Sequence, residues 1–362
     1  MALTKLRPAG LGFVNGNRNT IINGAMNVAQ RGTSSTGLGA AAGYFTCDRW
    51  KMDFGSTAGR LTMTQTADGP SGFANCIKLD CTTADTSIAA GEYGVLVQRL
   101  EGQDLQKFMK GTSDAKSYTV SFYVKGNASA TYILELIDRD NSRSVSKTFS
   151  VTTSWSRVEL TFPADTTGAF NDDNAVSLDL QWWFHSGSTY NSGTLQQTWA
   201  GTTAANRAAG GDSFFDSTNR TFFMTGVQLE VGDVATPFEH EDFGTTLRKC
   251  QRYTYIMSSS TSSATTEFIN GAAYSASQVN AGMDLPVTMR ATPTVTYGNA
   301  TGAYRFYRAG GNDPFDTLES DNPTNLHLQF AGTAGLSHTS GVAGSVQLRY
   351  GDGAFVKADA EL

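Results

Sequence analysis

The chain has 362 residues, of which 17% are charged and 40% hydrophobic, and its formal net charge is −6. The charged fraction is below the roughly 25% of an ordinary soluble domain, which excludes an all-α fold because long solvated helices need charged faces. The apolar content excludes wholesale disorder, and an acidic chain without a Lys/Arg cluster excludes a dedicated nucleic-acid binder.

The beginning of the chain carries no export or membrane signal. Residues 1–16 lack the apolar stretch of a secretory signal, so Sec-type export is not expected. Elsewhere no apolar run reaches the roughly 18 residues that a membrane span needs, so no membrane insertion is expected.

Apolar and polar residues alternate with a period of two through the first two-thirds of the chain. This alternation, interrupted by turns rich in Gly, Asn, Ser and Asp, predicts the half-buried strands of an antiparallel sandwich. The apolar faces of the predicted strands are Trp50/Met52/Phe54, Leu61/Met63, Tyr118/Val120/Phe122/Val124, Tyr132/Leu134/Leu136, Val158/Leu160/Phe162, Leu178/Leu180/Trp182/Phe184 and Phe223/Val227/Leu229/Val231. One helical pattern, over residues 101–110, places Leu105, Phe108 and Met109 at spacings of three and four.

A domain boundary is predicted at residues 236–242, where Pro237 ends a strand and an acidic run follows. Thr245 or Thr246 then caps a short helix that carries Leu247 and Cys250. A second set of alternating segments predicts a smaller β-sandwich; its apolar residues are Val295/Tyr297, Tyr304/Phe306, Leu326/Leu328/Phe330 and Val346/Leu348/Tyr350. The predicted organisation is a first domain over residues 18–238, a linker with a short helix over residues 239–252, and a second domain over residues 253–362.

The sequence contains little that predicts catalysis. Its four histidines are scattered, and neither an HExxH motif nor a GxSxG nucleophile elbow occurs. Nothing singles out the pair of carboxylates that glycoside hydrolysis needs. We therefore predict a protein that is not an enzyme.

Two acidic clusters resemble metal-ligand chemistry only loosely. The run at residues 239–242 offers carboxylates and a histidine, but an interdomain linker is the favoured interpretation. Asp172 and Asp173 lack the glycine and the distal glutamate of an EF-hand loop, which favours a solvated turn.

One predicted strand presents a possible binding face. Trp183 shares a face with Asp179, Gln181 and His185, opposite the apolar residues of the same strand. A flat aromatic ring beside polar groups is suited to stacking on a sugar ring and to binding its hydroxyl groups. Tyr190 and Trp199 lie in the following loop and extend this predicted glycan site; alternatively, Trp183 packs beneath that loop or in a subunit interface.

Several strings resemble a known class of proteins. RNTIINGAMNVAQRG (residues 18–32), Asp48-Arg49-Trp50 and FFMTGVQLEVGDVATPFEHEDFGTTLRKCQRY (residues 222–253) resemble the opening and the exit of a domain common in phage virion proteins. The terminal strings MALTKLR and ADAEL are similar to the ends of tail-fibre-like proteins of marine tailed phages. The first domain also resembles the jelly-roll carbohydrate-binding modules of polysaccharide-degrading enzymes, which implies an all-β jelly roll with short helices only.

The resemblance also implies ligands and partners. Sugar-binding jelly rolls often hold a structural Ca²⁺ near the first and last strands, where Asn23 and Glu230 are the candidate ligands; no other cofactor is implied. Virion fibres are commonly homotrimers, and residues 1–17 are then a peptide that attaches the fibre to other virion proteins. Such a protein is made in the cytoplasm of the bacterial host and resides on the tail or capsid surface.

The functional prediction is a short trimeric tail fibre that contributes to recognition of a host-surface glycan. A head or capsid decoration fibre with no receptor role remains open, as does a stand-alone carbohydrate-binding protein.

Overall fold

The structure, a computed structural model, describes residues 17–258, 266–298, 300–333, 335–349 and 354–362. The described residues divide into two compact units, one formed by residues 17–27 with the described part of Gly32–Asp242, the other by Val28–Arg31 with the described part of Phe243–Leu362. The predicted attachment peptide lies outside the described residues except for Asn17. No helix in the described ranges is long and apolar enough to cross a membrane.

The first unit is an antiparallel jelly-roll sandwich. Its strands are Ser34–Leu38 (β1), Gly43–Tyr44 (β2), Lys51–Gly55 (β3), Arg60–Thr66 (β4), Cys76–Thr83 (β5), Tyr93–Glu101 (β6), Tyr118–Gly126 (β7), Ala130–Asp138 (β8), Arg143–Val151 (β9), Ser156–Phe162 (β10), Val176–Ser186 (β11), Ala200–Gly201 (β12) and Thr221–Val231 (β13). One sheet has the order β1-β4-β5-β13-β7-β10 and the other β12-β9-β8-β11-β6-β3-β2. Both pair antiparallel, so the predicted all-β class is confirmed.

A single apolar core fills the space between these two sheets. Leu178, Leu180, Trp182 and Phe184 of β11 all belong to it, as the period-two alternation predicts. Trp182 lies 5.4 Å from Trp50 between ring centroids, in the tilted arrangement that aromatic pairs favour.

The last strand of the first unit departs from the predicted face. The sequence predicts Phe223 on the same face as Val227, but the buried core residues are Phe222 and Met224 before Gly226 and Val227 after it. The register of β13 against β7 shifts between Thr225 and Gln228, which is a β-bulge, and Gly226 has a φ of 62°. An extra residue in one strand moves every later side chain to the opposite face, so a continuous alternation fails there.

The predicted helix over residues 101–110 is wrong in type. The structure has two short 3₁₀ turns instead, Gly102–Asp104 and Gln106–Phe108, separated by Leu105 with φ −106° and ψ −3°. Met109 then adopts a left-handed conformation with φ 53°, which ends the segment. Leu105 and Phe108 are nevertheless buried in the core, whereas Met109, the third residue of the predicted apolar face, is exposed.

The second unit is a smaller β-sandwich that follows one helix. Besides the short helix Ser188–Asn191 (α1) in the first unit, the described residues form helix Phe243–Gln251 (α2). The strands are Thr254–Ser258 (β14), Thr266–Ser275 (β15), Gln278–Asp284 (β16), Thr294–Tyr297 (β17), Tyr304–Arg308 (β18), Gly311–Phe315 (β19), Leu318–Asp321 (β20), His327–Gly332 (β21), Ala343–Leu348 (β22) and Phe355–Asp359 (β23). They form sheets of order β14-β23-β17 and β19-β18-β22-β15-β16-β21-β20 around one apolar cluster.

Two residues that the sequence assigns to the apolar face of the second unit are not found buried there. Leu326 is 53% exposed, because the backbone N–H groups of Leu326 and His327 both donate to the Thr324 hydroxyl in a turn that precedes β21. Tyr350 lies outside the described residues.

A short segment from early in the chain belongs to the second unit. The Gln30 side chain donates to the carbonyl of Thr254 (3.0 Å), and Arg31 forms an ion pair with Glu361 (3.1 Å). The change of unit at Phe243 falls inside the region that the sequence predicts as a linker.

Candidate functional site

The outer face of the seven-stranded sheet in the first unit carries a second, smaller cluster of buried side chains. Val95 and Val97 of β6, Ile133 of β8 and Trp183 of β11 pack there with Ala208 from the loop after β11. In the register of the sheet, Trp183 stands between Val95 and Ile133 on the neighbouring strands. The strand alternation therefore places this cluster opposite the main core.

A cavity of about 180 Å³ opens on this face. It is lined by Asp53, Tyr93, Val95, Arg139, Gln181, Trp183, Tyr190 and Arg207, and we call it the outer-face pocket. The sheet supplies five of these side chains, at alternate positions of β3, β6 and β11. Side chains on a rigid sheet are held in place more accurately than side chains on loops.

The loop after β11 forms one wall of the pocket, and backbone hydrogen bonds hold it in place. The N–H of Gly187 donates to the carbonyl of Glu92 (2.8 Å), and the N–H of Thr189 donates to that of Ala90 (2.9 Å). The N–H of Ala208 donates to the carbonyl of Tyr190 (2.9 Å), which fixes α1 against the returning chain. The Tyr190 ring consequently lies 5.5 Å from Tyr93 and 5.4 Å from Trp183 between ring centroids.

Trp183 lies on the sheet at the base of the pocket, and its side chain is almost fully buried. Its indole N–H donates to Glu135 (2.8 Å), and the guanidinium of Arg207 lies 4.8 Å from its ring centroid. Arg207 also donates to both carboxylate oxygens of Glu135 at 3.1 Å. Burial raises the pKa of Glu135, and the attraction of Arg207 opposes that rise only in part.

A second buried carboxylate supports the other side of the pocket. Asp179 accepts hydrogen bonds from Arg139 Nε (2.8 Å) and from the side chain of Gln181 (3.1 Å). Arg99 lies on the opposite side, with its Nε 3.6 Å from the Asp179 carboxylate. Arg139 and Gln181 are thereby oriented toward the cavity by one carboxylate beneath them.

Exposed charge on this face is mainly positive. Arg139 keeps 39% of its side chain exposed, whereas the side chains of Asp179 and Glu135 are fully buried. Burial lowers the pKa of Lys51 on β3, and the nearby positive charge of Arg99 lowers it further. The guanidinium groups therefore face solvent while their counter-charges lie beneath them.

Asp53 is the carboxylate that lines the cavity itself. It accepts a hydrogen bond from the Tyr93 hydroxyl (3.3 Å), and Lys51 lies 3.9 Å from it. Burial raises the pKa of the Tyr93 hydroxyl, and the adjacent Asp53 charge raises it further. Tyr93 is thus a neutral donor at the edge of the pocket.

The structure brings only part of the predicted glycan site together. Trp183, Gln181 and Tyr190 line the pocket, and Asp179 lies directly beneath it. His185 is buried beyond a register shift in β11, and its Nδ1 lies 2.9 Å from the hydroxyl of Ser213.

Trp199 is not at this site. Its ring lies 6.0 Å from that of Tyr118 between centroids, in the main core, and its indole N–H donates to the carbonyl of Pro163.

Five lining residues were not found from the sequence, namely Asp53, Tyr93, Val95, Arg139 and Arg207. Asp53 and Tyr93 alternate correctly on their strands, but only the pairing of β3 and β6 with β11 brings them to Trp183. Arg139 and Arg207 lie in connecting segments, where no period indicates direction.

The two candidate calcium ligands each have protein partners. Both carboxylate oxygens of Glu230 accept hydrogen bonds from Thr236, one from its N–H and one from its hydroxyl. The Asn23 side chain donates to the carbonyl of Asp48 (3.0 Å) and accepts from the N–H of Asn27 (2.8 Å). Among the described residues, the His, Cys, Asp and Glu side chains whose donor atoms lie close enough to share a metal ion are a different group, namely Asp85, Glu92 and His185.

Carboxylates of both acidic clusters accept backbone hydrogen bonds. Asp173 accepts from the N–H of Ala175 (2.9 Å), an Asx-turn contact. Glu239 accepts from the N–H of Asn19 (2.8 Å), and its own N–H donates to Gln228 (2.8 Å).

Solved structures of two kinds are similar to this chain. The enzymatically active domain of tailspike protein 4 from bacteriophage CBA120 has 10% identity and a TM-score of 0.30 over 59% of this chain and 21% of that one. This chain therefore spans about a fifth of the length of that tailspike chain. The family 11 carbohydrate-binding module of a Clostridium thermocellum cellulase has 12% identity and a TM-score of 0.28 over 57% of this chain and 98% of the module.

A third similar structure contains the CBM22-1 and GH10 modules of xylanase 10B from Clostridium thermocellum, complexed with xylohexaose. It has 14% identity and a TM-score of 0.30 over 60% of this chain and 29% of that one. No protein-family model matches the sequence, and a search of curated proteins finds no relative.

Proposed function

We propose that this protein binds a glycan through the outer-face pocket, and that the bound sugar carries a carboxylate. The observation that carries this proposal is the lining itself. Two guanidinium groups, Arg139 and Arg207, and two phenol rings, Tyr93 and Tyr190, surround one cavity on a rigid sheet.

The size and composition of the pocket suit a sugar ring. Its volume is below the roughly 300 Å³ that begins the range of drug-sized ligands, so it accommodates one residue of a longer chain. Tyr93 and Tyr190 offer apolar ring surface with polar tips, and Gln181 and Asp53 offer groups that bind hydroxyls.

Charge selects an acidic sugar over a neutral one. In the ion pairs Arg139–Asp179 and Arg207–Glu135, Arg139 has the most exposed side chain. A guanidinium group can bind a carboxylate through two parallel hydrogen bonds. A uronate residue in the pocket could pair with Arg139 without displacing Asp179, because guanidinium has five N–H donors.

Binding, and not hydrolysis, is the activity that we propose. Glycoside hydrolysis uses two carboxyl groups across the scissile bond, and the pocket lining offers one, Asp53. The neighbouring carboxylates, Asp179 and Glu135, are committed to ion pairs with arginines.

The setting that we propose for this binding is the surface of a phage virion, as a homotrimeric tail fibre that recognises a host polysaccharide. What supports this setting is the resemblance of residues 18–32 and 222–253 to a virion-protein domain. A decoration fibre without a receptor role is the alternative, and it predicts no glycan binding.

A panel of polysaccharides tests the proposal. We expect the full chain to bind at least one uronate polymer among polygalacturonate, alginate and hyaluronan more tightly than neutral dextran or mannan, by isothermal titration calorimetry. The affinity should fall as the NaCl concentration rises, because salt screens the attraction of a partly exposed arginine. Preference for a neutral polymer would overturn the acidic class, and no binding to any polymer would overturn the glycan proposal.

The matched variants are Tyr190→Ala in the pocket and Tyr274→Ala in the second unit, where Tyr274 is 69% exposed. We expect Tyr190→Ala to weaken binding about tenfold, since a ring contact contributes roughly 1.4 kcal/mol. Tyr274→Ala should bind like the original chain. Equal affinities for the two variants would place the glycan elsewhere.

A further inference from the structure

Three metal-ligand side chains converge in the first unit, at the end of β11 next to the outer-face pocket. Asp85 follows β5, Glu92 precedes β6, and His185 lies near the end of β11. Their donor atoms all lie within 4.8 Å of one another, and all three residues are buried. The separation between His185 Nε2 and Glu92 Oε2 is 3.4 Å.

That 3.4 Å separation is long for a hydrogen bond but suits two ligands of one metal ion. Ordinary N–H···O bonds have a donor–acceptor distance of about 2.9 Å. Two atoms bound to one tetrahedral Zn²⁺ at about 2.1 Å are separated by about 3.4 Å, the length of a tetrahedral edge.

The charges of this cluster are not balanced by the protein. Within the described part of the chain, no Lys or Arg forms an ion pair with Asp85 or Glu92, and His185 beside Glu92 is charged only when protonated. Two carboxylates that are buried side by side repel each other and lose their hydration. A divalent cation between them would neutralise both.

The surroundings orient each side chain as the outer partners of metal ligands do. Asp85 Oδ2 accepts from the Thr57 hydroxyl and the N–H of Ala58, both at 2.9 Å. His185 Nδ1 faces the hydroxyl of Ser213 at 2.9 Å, which leaves Nε2 directed toward Glu92. A hydrogen bond on one ring nitrogen that frees the other for a metal is typical of histidine ligands.

We propose that Asp85, Glu92 and His185 form a binding site for a divalent transition-metal ion, with Zn²⁺ as the best match. Imidazole nitrogen with two carboxylates is a zinc-type donor set, whereas Ca²⁺ takes six to eight oxygen ligands. Glu92 retains about a tenth of its side-chain exposure, which gives the ion a route from solvent.

The ion joins segments that are far apart in sequence. It links the connection between β5 and β6 to the end of β11, and through Ser213 to the 3₁₀ turn Phe214–Asp216. Glu92 immediately precedes Tyr93, and His185 follows Trp183 by two residues, so the site also supports one end of the outer-face pocket.

Metal titration of the full chain, free of any affinity tag and dialysed against EDTA and then buffer, tests the site. We expect ZnCl₂ to bind with one ion per chain in calorimetry and to raise the melting temperature, with MnCl₂ weaker and CaCl₂ weaker still. Glu92→Gln should lower the Zn²⁺ affinity at least tenfold. No glycan enters this experiment, so its result is independent of the proposed function.

Two further measurements keep a folding defect from imitating loss of a ligand. In EDTA, Glu92→Gln should melt at the same temperature as the original chain or higher, because it removes one of two buried like charges. His327→Asn is the control for incidental histidine binding, since His327 pairs with Asp284 at 2.9 Å on the surface of the second unit. It should bind Zn²⁺ like the original chain.

Absence of Zn²⁺ binding by the original chain would overturn the site. Undiminished binding by both Glu92→Gln and Asp85→Asn would overturn it as well. A Glu92→Gln chain that is less stable than the original in EDTA would show that the cluster is a structural hydrogen-bond network.

Discussion

Trp182 and Trp183 are neighbours on β11, yet they belong to different parts of the molecule. Trp182 points into the main core, where its ring lies 5.4 Å from Trp50 and 5.7 Å from Phe122 between centroids. Its indole nitrogen has no hydrogen-bond partner among the described residues. Trp183 points the other way, donates its N–H to Glu135 and lies beneath Arg207.

The contrast shows how one strand serves two purposes. The inner face excludes polar groups and contributes apolar burial, which stabilises the sandwich. The outer face is equally buried at Trp183, but it uses that burial to fix arginines and carboxylates around a cavity. Stability and recognition should therefore respond separately to changes on the two faces.

Removing the inner ring should have the largest effect on stability. We expect Trp182→Ala to lower the free energy of unfolding by about 3–5 kcal/mol, because it leaves a large cavity in a packed core. Trp183→Phe should cost about 1–2 kcal/mol, since it removes one hydrogen bond to a carboxylate and keeps an aromatic ring. Urea denaturation measures both, and equal losses would contradict the distinction between the faces.

The next largest effect is expected at a charged group beside the inner core. Arg143 donates to both carboxylate oxygens of Asp165 (2.8 and 3.0 Å), and the buried ammonium of Lys110 lies 3.2 Å away. Burial by itself raises the pKa of Asp165, but these partners outweigh it and hold the pKa below 3.8. The charged form therefore stabilises the fold above that pH, and this contribution is lost as the pH falls through the folded-state pKa.

We expect Asp165→Asn to lower the free energy of unfolding at neutral pH by about 2–3 kcal/mol. The loss should shrink as the pH falls below the ordinary pKa of 3.8 and through the lower folded-state pKa, where the original Asp165 becomes protonated too. Urea denaturation at several pH values measures this trend. A loss that does not depend on pH would show that Asp165 contributes packing alone.

The smallest effect, with the opposite pH dependence, is expected on the outer face. Because burial raises the pKa of Glu135 above its ordinary 4.5, the protonated form stabilises the fold at low pH. That contribution is lost as the pH rises through the folded-state pKa. We expect Glu135→Gln to change the free energy of unfolding at neutral pH by less than about 1 kcal/mol.

Relative to Glu135→Gln, the original chain should lose stability as the pH rises above about 4.5. Urea denaturation at several pH values, as for Asp165→Asn, measures this dependence of the free energy of unfolding on pH. The two variants are expected to show opposite trends, so each is the other's control. A large loss for Glu135→Gln at neutral pH would mean that its ion pair with Arg207 outweighs burial.

The sequence predicts faces well wherever a strand is regular. Alternation alone assigns Trp182 to the core and Trp183 to the opposite face, and both assignments are confirmed. It fails at β13, because nothing in the local pattern announces the bulge at Gly226, which depends on pairing with β7. It fails again at Leu326, where the backbone N–H donates a hydrogen bond to the Thr324 hydroxyl in a turn and the regular alternation is interrupted.

The site is less predictable than the fold because it depends on which strands are neighbours. Tyr93 and Trp183 are 90 positions apart in the chain, and they meet only because β6 pairs with β11. The same pairing brings Glu92 to His185. The arginines come from loops, so composition reveals their number but not their direction.

The nuclear magnetic resonance signals of the tryptophan indole N–H groups test the central claim most directly. The chain has five tryptophans, so ¹⁵N labelling of tryptophan gives few signals, and Trp183→Phe identifies that of Trp183. On addition of oligosaccharides of the tightest-binding uronate polymer, the account predicts that the Trp183 signal shifts while those of Trp50 and Trp182 stay in place. Saturating glycan that leaves Trp183 unchanged, or that shifts Trp155 beside Phe223 instead, would contradict it.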